Sequence, residues 1–240
     1  VIGVDEFEGQ LLAQELADHT HDDRIIKVSV SKKITNLGWN VFANKGFLSE
    51  YRRGKQVASI DLRKCTALQG PHNHQNACAA YAAVRTLGVG PRLVEKALKS
   101  FRGLPHRSQL VTEIDGVVFI NDSKATNVDS AIKALETFSK VHWICGGEQK
   151  ENDISRLNNA LANVKKAYVI GTDTANFSSQ ISCEFEISNT MDKAVKNAFK
   201  DAKDGETILL SPAAASFDQY SSFEERGKAF EHEITKLTKY

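Results

Sequence analysis

Gly116-Val117-Val118-Phe119-Ile120-Asn121-Asp122-Ser123-Lys124-Ala125-Thr126-Asn127 is an apolar run that breaks into polar and small residues and then into a helix-like segment. In an α/β domain this is the carboxyl edge of a strand feeding a helix, where such sheets hold their ligands. Asp122 and Lys124 place opposite charges two apart in a tight loop, with Ser123 and Thr126 as nearby hydroxyls. A cation, a carboxylate that fixes it and neutral hydrogen bonders suit a phosphate- or carboxylate-handling site. The same residues also read as a helix N-cap, Thr126 or Asn127, behind a solvated ion pair. Spacing alone leaves both readings open.

Downstream of this stretch the chain alternates. Val128 to Phe138 reads as a helix, and Val141 to Cys145 as a strand ending in Gly146-Gly147-Glu148-Gln149-Lys150. Ile154 to Val164 reads as a helix, and Ala167 to Ile170 as a strand ending in Gly171-Thr172-Asp173. A short helix leads to a strand over Glu184 to Ser188, and Met191 to Ala202 is helical. Thr207 to Leu210 is a strand ending in Ser211-Pro212-Ala213-Ala214-Ala215-Ser216-Phe217-Asp218, before a last helix from Phe223 to Leu237. Repeated β–α alternation predicts an α/β fold, a parallel sheet covered by helices on both faces. Three strand ends carry polar or glycine loops that can point at one crevice. Gly146-Gly147 lets backbone approach a ligand or simply makes a turn, and Lys150 on spacing alone is a surface lysine. Ser211 to Ser216 reads either as an anion-binding helix start or as a close-packed turn.

Upstream, Gln109 to Ile114 and Val117 to Ile120 form a hairpin about Asp115-Gly116. Arg107, just before it, is either structural or placed to reach the Asn121–Asn127 loop. Gly103-Leu104-Pro105-His106-Arg107 reads as a linker between two units. Before it, an alanine-rich helix from Ala77 to Leu87 opens at His72-Asn73-His74-Gln75-Asn76 and closes at Gly88, and Pro91 starts a second helix to Phe101. Asn73 and Asn76, three apart, share a face that can meet a flat heterocycle, against capping for Asn73 and solvation for Asn76. His72 and His74 read as polar residues near a cap rather than a metal pair. Earlier still, strands are predicted over Ile25–Val30, Trp39–Ala43, Gly46–Tyr51 and Gln56–Leu62, with a turn at Arg53-Gly54. This strand region offers no chemistry. Phe7, Leu11, Leu12 and Leu16 form an apolar stripe at helical spacing after a strand over residues 1–4.

The totals bound the answer. The 240 residues suit one large domain or two modest ones, and 41% hydrophobic with 25% charged residues is ordinary for a globular chain. A formal net charge of +1 implies no nucleic acid partner. The four cysteines, Cys65, Cys78, Cys145 and Cys183, include no CxxC pair. That fits a reducing compartment, and a cytoplasmic location is expected. No apolar run reaches membrane-spanning length. No GxGxxG, GxxxxGK[ST] or GxSxG motif occurs. The chain opens inside an apolar run, Val1-Ile2-Gly3-Val4, and its single methionine is Met191, so further sequence upstream is expected.

Four blocks in order are specific together: Gly70-Pro71-His72-Asn73 with Asn76; Leu104-Pro105-His106-Arg107; Asn121 to Asn127; and Leu210 to Gln219 with Phe223-Glu224-Glu225-Arg226-Gly227. Over residues 69–231 they resemble the Mur ligases, and the Asn121–Asn127 and Ser211–Gln219 blocks resemble the D-glutamate-adding members. The resemblance implies residues 1–103 as the end of a mixed α/β, ATPase-type central domain and 104–240 as a Rossmann-like C-terminal domain. It implies an ATP-dependent ligase for peptidoglycan precursors, using Mg²⁺, that joins D-glutamate to UDP-N-acetylmuramoyl-L-alanine through an acyl phosphate. It places Asn73 and Asn76 near adenine, and Arg107, Asp122 and Lys124 at the nucleotide and in catalysis. Thr126, Lys150, Ser216, Phe217 and Phe223 fall to D-glutamate. Gln149 stands where relatives often carry glycine, which leaves the orientation of Lys150 open. The family's phosphate loop, metal ligands and uridine domain have no counterpart in these residues, so the chain alone is expected to be inactive. A monomer is expected. The rival readings are a non-catalytic module that binds an acidic amino acid or nucleotide, and an amide ligase similar to folylpolyglutamate synthetase.

Overall fold

β-branched and aromatic residues in short runs, broken by turns, build the first sheet. The computed structural model describes residues 1–19 and 24–237, in two units, Val1–Arg102 and Gly103–Tyr240. In the first unit the strands are β1 (Ile2–Gly3), β2 (Ile26–Ser29), β3 (Trp39–Asn44), β4 (Phe47–Arg52) and β5 (Lys55–Asp61), hydrogen-bonded in that order. β1, β2 and β3 run parallel, and β3, β4 and β5 antiparallel. The Arg53-Gly54 turn has positive φ at both residues, 51° and 73°, the backbone of a tight hairpin turn. Helices α1 (Phe7–His19), α2 (Pro71–Thr86) and α3 (Pro91–Ser100) complete the unit. The small residues Ala77, Cys78 and Ala82 of α2 let it lie close on Val28, Val41, Leu48 and Ile60 of the sheet, with Tyr81 filling the remaining space.

Two features here go beyond the sequence pattern. The apolar stripe of α1 is not its buried face: Phe7 is 68% exposed, and only Ala13 of the helix is buried. The helix turns its small-residue flank to Val4, Ile34 and Phe42, and Leu11, Leu12 and Leu16 stay exposed. The strand region is also not featureless. Glu50 on β4 is fully buried and accepts from Arg52 Nε at 2.7 Å, Arg85 Nε at 3.0 Å and the Tyr81 hydroxyl at 2.7 Å. Burial pushes its pKa up, but these hydrogen bonds outweigh burial and hold the carboxyl below its ordinary value. Arg52 also stacks on Trp39 with 3.6 Å to the ring centroid. This network ties β4 to α2.

The second unit starts with the hairpin β6 (Gln109–Ile114) and β7 (Val117–Asn121). Then come α4 (Val128–Thr137), β8 (Val141–Gly146), a 3₁₀ segment (Ser155–Asn163), β9 (Val164–Ile170), α5 (Thr174–Ser179) and β10 (Phe185–Asn189). α6 (Met191–Asp201), β11 (Thr207–Leu210) and α7 (Phe223–Leu237) follow. The sheet order is β10-β9-β8-β11-β7-β6, parallel except for β6 at its edge. Alternate side chains of each strand feed opposite layers. Ile120, Trp143 and Leu209 pack with α4, the 3₁₀ segment and α5. Phe119, Ile144 and Leu210 pack with α6 and α7. The expected helix over 154–164 is wound as 3₁₀ instead, and β9 starts at Val164. Asn158 is held at both ends of its amide, donating to Gln180 O and accepting from Ser182 N. Those fixed contacts, with poor helix formers in the run, favour the tighter winding.

The chain leaves β8 toward one face and β11, its neighbour, toward the other. Ligands of open α/β sheets sit beyond the carboxyl ends of strands at such a point.

Candidate functional site

The loop after β7 is rigid by construction. Asn121, fully buried, turns its Nδ2 to His106 Nδ1 at 2.9 Å, Gly227 O at 3.1 Å and Glu231 Oε1 at 2.9 Å. Its Oδ1 accepts from Ser123 N at 3.1 Å. Asp122 follows and accepts from Ser108 N at 2.9 Å and Ser211 Oγ at 3.1 Å. Burial pushes the Asp122 carboxyl up to about 6, against the pull of those hydrogen bonds and of the Arg107 charge. Lys124 N donates to His106 O at 3.0 Å, and the half-buried side chain lays its ammonium over the Phe223 ring, 3.9 Å from the centroid. Thr126 closes the loop through its amide on Lys124 O. Asn127 is the cap of α4, its Oδ1 accepting from Ser130 N at 2.9 Å.

Arg226, in the first turns of α7, locks this loop to the one after β11. It is 1% exposed. Its Nε donates to Ser123 Oγ at 3.1 Å and its Nη2 to Ser123 O at 2.9 Å, while both terminal nitrogens reach Ala214 O and Nη1 also reaches Ala215 O, all at 3.1 Å. A guanidinium suits this because its planar fork satisfies several carbonyls at once. Burial lowers its pKa to about 10, with Asp218 opposing, so it stays charged at neutral pH. Gly227 next to it has no room for a side chain, since a Cβ would overlap His106 Nδ1. That close approach is what brings α7 against the β7 loop.

The loops after β8 and β11 are stitched by a two-residue bridge. Glu148 N donates to Ala215 O at 3.0 Å and Ala215 N to Glu148 O at 2.8 Å. Gly147 precedes the bridge with φ of 126°, a conformation that excludes L side chains, and a Cβ there would overlap Ala215 O. Beyond it opens a cleft of about 430 Å³ whose wall carries Glu148, Glu151, Asp173 and Asp218 and no lysine or arginine.

Of the residues singled out by sequence, Asp122, Lys124, Thr126 and Phe223 cluster about the β7 loop, with exposed Arg107 close enough for its charge to act on Asp122. Ser216 is 2% exposed and Phe217 68% exposed on the β11 loop, and Lys150 is exposed on the β8 loop. Asn73 and Asn76 belong to the first unit, on the first turns of α2. Asn73 does not cap that helix: Gly70 is the N-cap, and Asn73 Nδ2 donates to Gln69 O at 2.8 Å. Arg226, Ser211, His106 and Asn121 were not marked as site residues. One signal pointed to Arg226. Phe223, Arg226, Gly227, Phe230 and Ile234 recur at helical spacing, so the arginine sits on the buried face.

Residues 106–214, which run from just before β6 to just past β11, match the model of the "Mur ligase, glutamate ligase domain". UDP-N-acetylmuramoylalanine--D-glutamate ligase of Ruegeria pomeroyi is 58% identical over 236 residues, 98% of this chain and 51% of that protein. The chain belongs to the Mur ligase family. The Roseobacter denitrificans enzyme of the same name is 56% identical over 98% of this chain and 51% of its own length. This Mur ligase chain thus spans about half the length of the curated relatives it matches. Among solved structures, UDP-N-acetylmuramate-alanine ligase MurC from Thermotoga maritima shares the fold, with a TM-score of 0.60 and 17% identity over 88% of this chain and 48% of that one.

Proposed function

We propose that these residues are part of an ATP-dependent ligase that joins the amine of D-glutamate to the carboxylate of UDP-N-acetylmuramoyl-L-alanine in peptidoglycan precursor synthesis. The observation that carries the reading is the Lys124 ammonium held over Phe223 beside buried Asp122, on a loop braced from three sides. A fixed cation at the carboxyl end of β7 can stabilise the charge that develops when a carboxylate is activated by phosphoryl transfer. Its rigid backbone means that little reorganisation is needed at that moment.

In this reading Arg107 and Asp122 hold the nucleotide, and Asn73 and Asn76 of the first unit lie at its base. Lys124 faces the transferring phosphoryl group. Thr126, Lys150, Ser216, Phe217 and Phe223 receive D-glutamate, with Lys150 and Ser216 on its side-chain carboxylate. Activation as an acyl phosphate makes the carbonyl carbon electrophilic; the D-glutamate nitrogen forms the amide bond and inorganic phosphate departs. Phosphoryl transfer from ATP would draw on Mg²⁺ to neutralise the charge on the phosphates. Among the described residues no group of three or more His, Cys, Asp or Glu could hold a metal ion.

Calorimetric titration of the full-length gene product with D-glutamate, L-glutamate and a folate, each with nucleotide present, tests the reading. Binding of D-glutamate in preference to the other two supports it; preference for the folate or for L-glutamate rejects it.

A further inference from the structure

The segment between β11 and α7 takes an indirect route. β11 lies between β8 and β7, and α7 packs beside β7, with Phe230 near Phe119. The direct path would be short. Instead residues 211–222 cross the sheet edge away from α7. Ala215 pairs with Glu148 past β8. Asp218 Oδ2 accepts from Thr172 N past β9 at 3.0 Å, and Gln219 Nε2 donates to Asn189 O at the end of β10 at 2.9 Å. The amides of Gln219 and Tyr220 fold back onto Ser216 O, at 3.1 and 2.8 Å, and close the turn. Ser216 and Phe217 are therefore strung between two anchors, Ala215 and Asp218. The Asp218 anchor is the charged one, and its carboxylate also acts on the buried Arg226 guanidinium.

We infer that Asp218 is a positioning residue for D-glutamate, holding Ser216 and Phe217 in place by tying their loop to the end of β9. The inference rests on the ligase reading above. Asp218 touches no reacting atom in it; its oxygen fixes where the preceding two residues stand. A carboxylate accepting a backbone N–H is among the stronger single hydrogen bonds, and its loss frees the loop on one side.

The test is steady-state ligation by the full-length gene product, comparing Asp218→Ala, Asp218→Asn and Asp218→Glu with the parent. Asp218→Ala is expected to raise KM for D-glutamate about tenfold, with kcat and KM for ATP within about twofold. Asp218→Asn keeps an acceptor oxygen and is expected to return KM to within about threefold of the parent. Asp218→Glu keeps the charge but sets the oxygen one methylene further out, and also raises KM for D-glutamate. It carries the test should the alanine variant not fold. Parental KM for D-glutamate in the alanine and glutamate variants overturns the inference, as does a loss spread over kcat and all substrates that asparagine fails to rescue. A parent protein that does not ligate D-glutamate overturns the ligase reading itself, and the inference with it.

Discussion

Asp122→Asn is expected to make the protein more stable at neutral pH and no more stable in acid. The folded Asp122 carboxyl sits at about 6 against an ordinary 3.8, chiefly because burial disfavours its charged form. The folded state therefore holds the proton more tightly than the unfolded chain. Below about pH 4 both states are protonated and nothing is lost. As pH rises through about 6, the folded protein must ionise a buried group, and stability falls by up to about 3 kcal/mol, at roughly 1.4 kcal/mol per pH unit of difference. Asparagine removes that charge and keeps an acceptor for Ser108 N, while its amide can donate to the Ser211 hydroxyl in place of accepting from it. Urea denaturation of parent and variant at pH 7.5 and pH 4 measures the difference; other titrating groups are common to both proteins and cancel. A gain of about 2–3 kcal/mol at pH 7.5 that vanishes at pH 4 is expected. An equal difference at both pH values, or a loss at pH 7.5, refutes the account of Asp122. If the carboxylate holds nucleotide, the same variant binds ATP more weakly, a trade of function against stability common at active sites.

Arg226→Met leaves Ala214 O and Ser123 O without the donors they have now, and should cost about 3 kcal/mol of unfolding free energy in urea. Arg226→Lys should recover little of it, since an ammonium lacks the planar fork. Gly227→Ala forces α7 off His106, and thermal unfolding should show a loss of about 2 kcal/mol, the usual scale of overpacking. Trp143→Phe removes the 2.7 Å bond from the indole Nε1 to Ser211 O, leaving a buried carbonyl unpaired at the root of the β11 loop. About 1–2 kcal/mol should be lost in urea denaturation.

Periodicity explains which parts of this molecule are legible in its sequence. From Val117 onward, short β-branched runs alternate with amphipathic segments, and the parallel sheet with two helical layers follows from that pattern. The β7 loop can be read because Asn121 to Asn127 is polar and abrupt after an apolar strand. The Arg53-Gly54 turn can be read because its glycine supplies the positive φ that a tight hairpin turn needs. What escapes is set by tertiary contact. Asn158 bonds to Gln180 and Ser182, remote residues that no local window contains, and the segment winds as 3₁₀. The stripe on α1 has the right period but its large residues stay exposed, so period alone misassigns the buried face. Arg226 lies in a charged run, Glu224-Glu225-Arg226-Gly227-Lys228, whose helical spacing with Phe223, Phe230 and Ile234 signals the buried face but not the three carbonyls the guanidinium meets there. The acidic cleft is likewise invisible, because Glu148, Glu151, Asp173 and Asp218 come from three separate loops.

The most direct test of the central claim is ligation itself. The full-length gene product would be incubated with ATP, UDP-N-acetylmuramoyl-L-alanine and labelled D-glutamate, and the product resolved from substrates. The account predicts labelled UDP-N-acetylmuramoyl-L-alanyl-D-glutamate with one ADP and one phosphate per amide bond, and loss of that product in Lys124→Ala. Label transferred from L-glutamate instead, or undiminished product from Lys124→Ala, would contradict it.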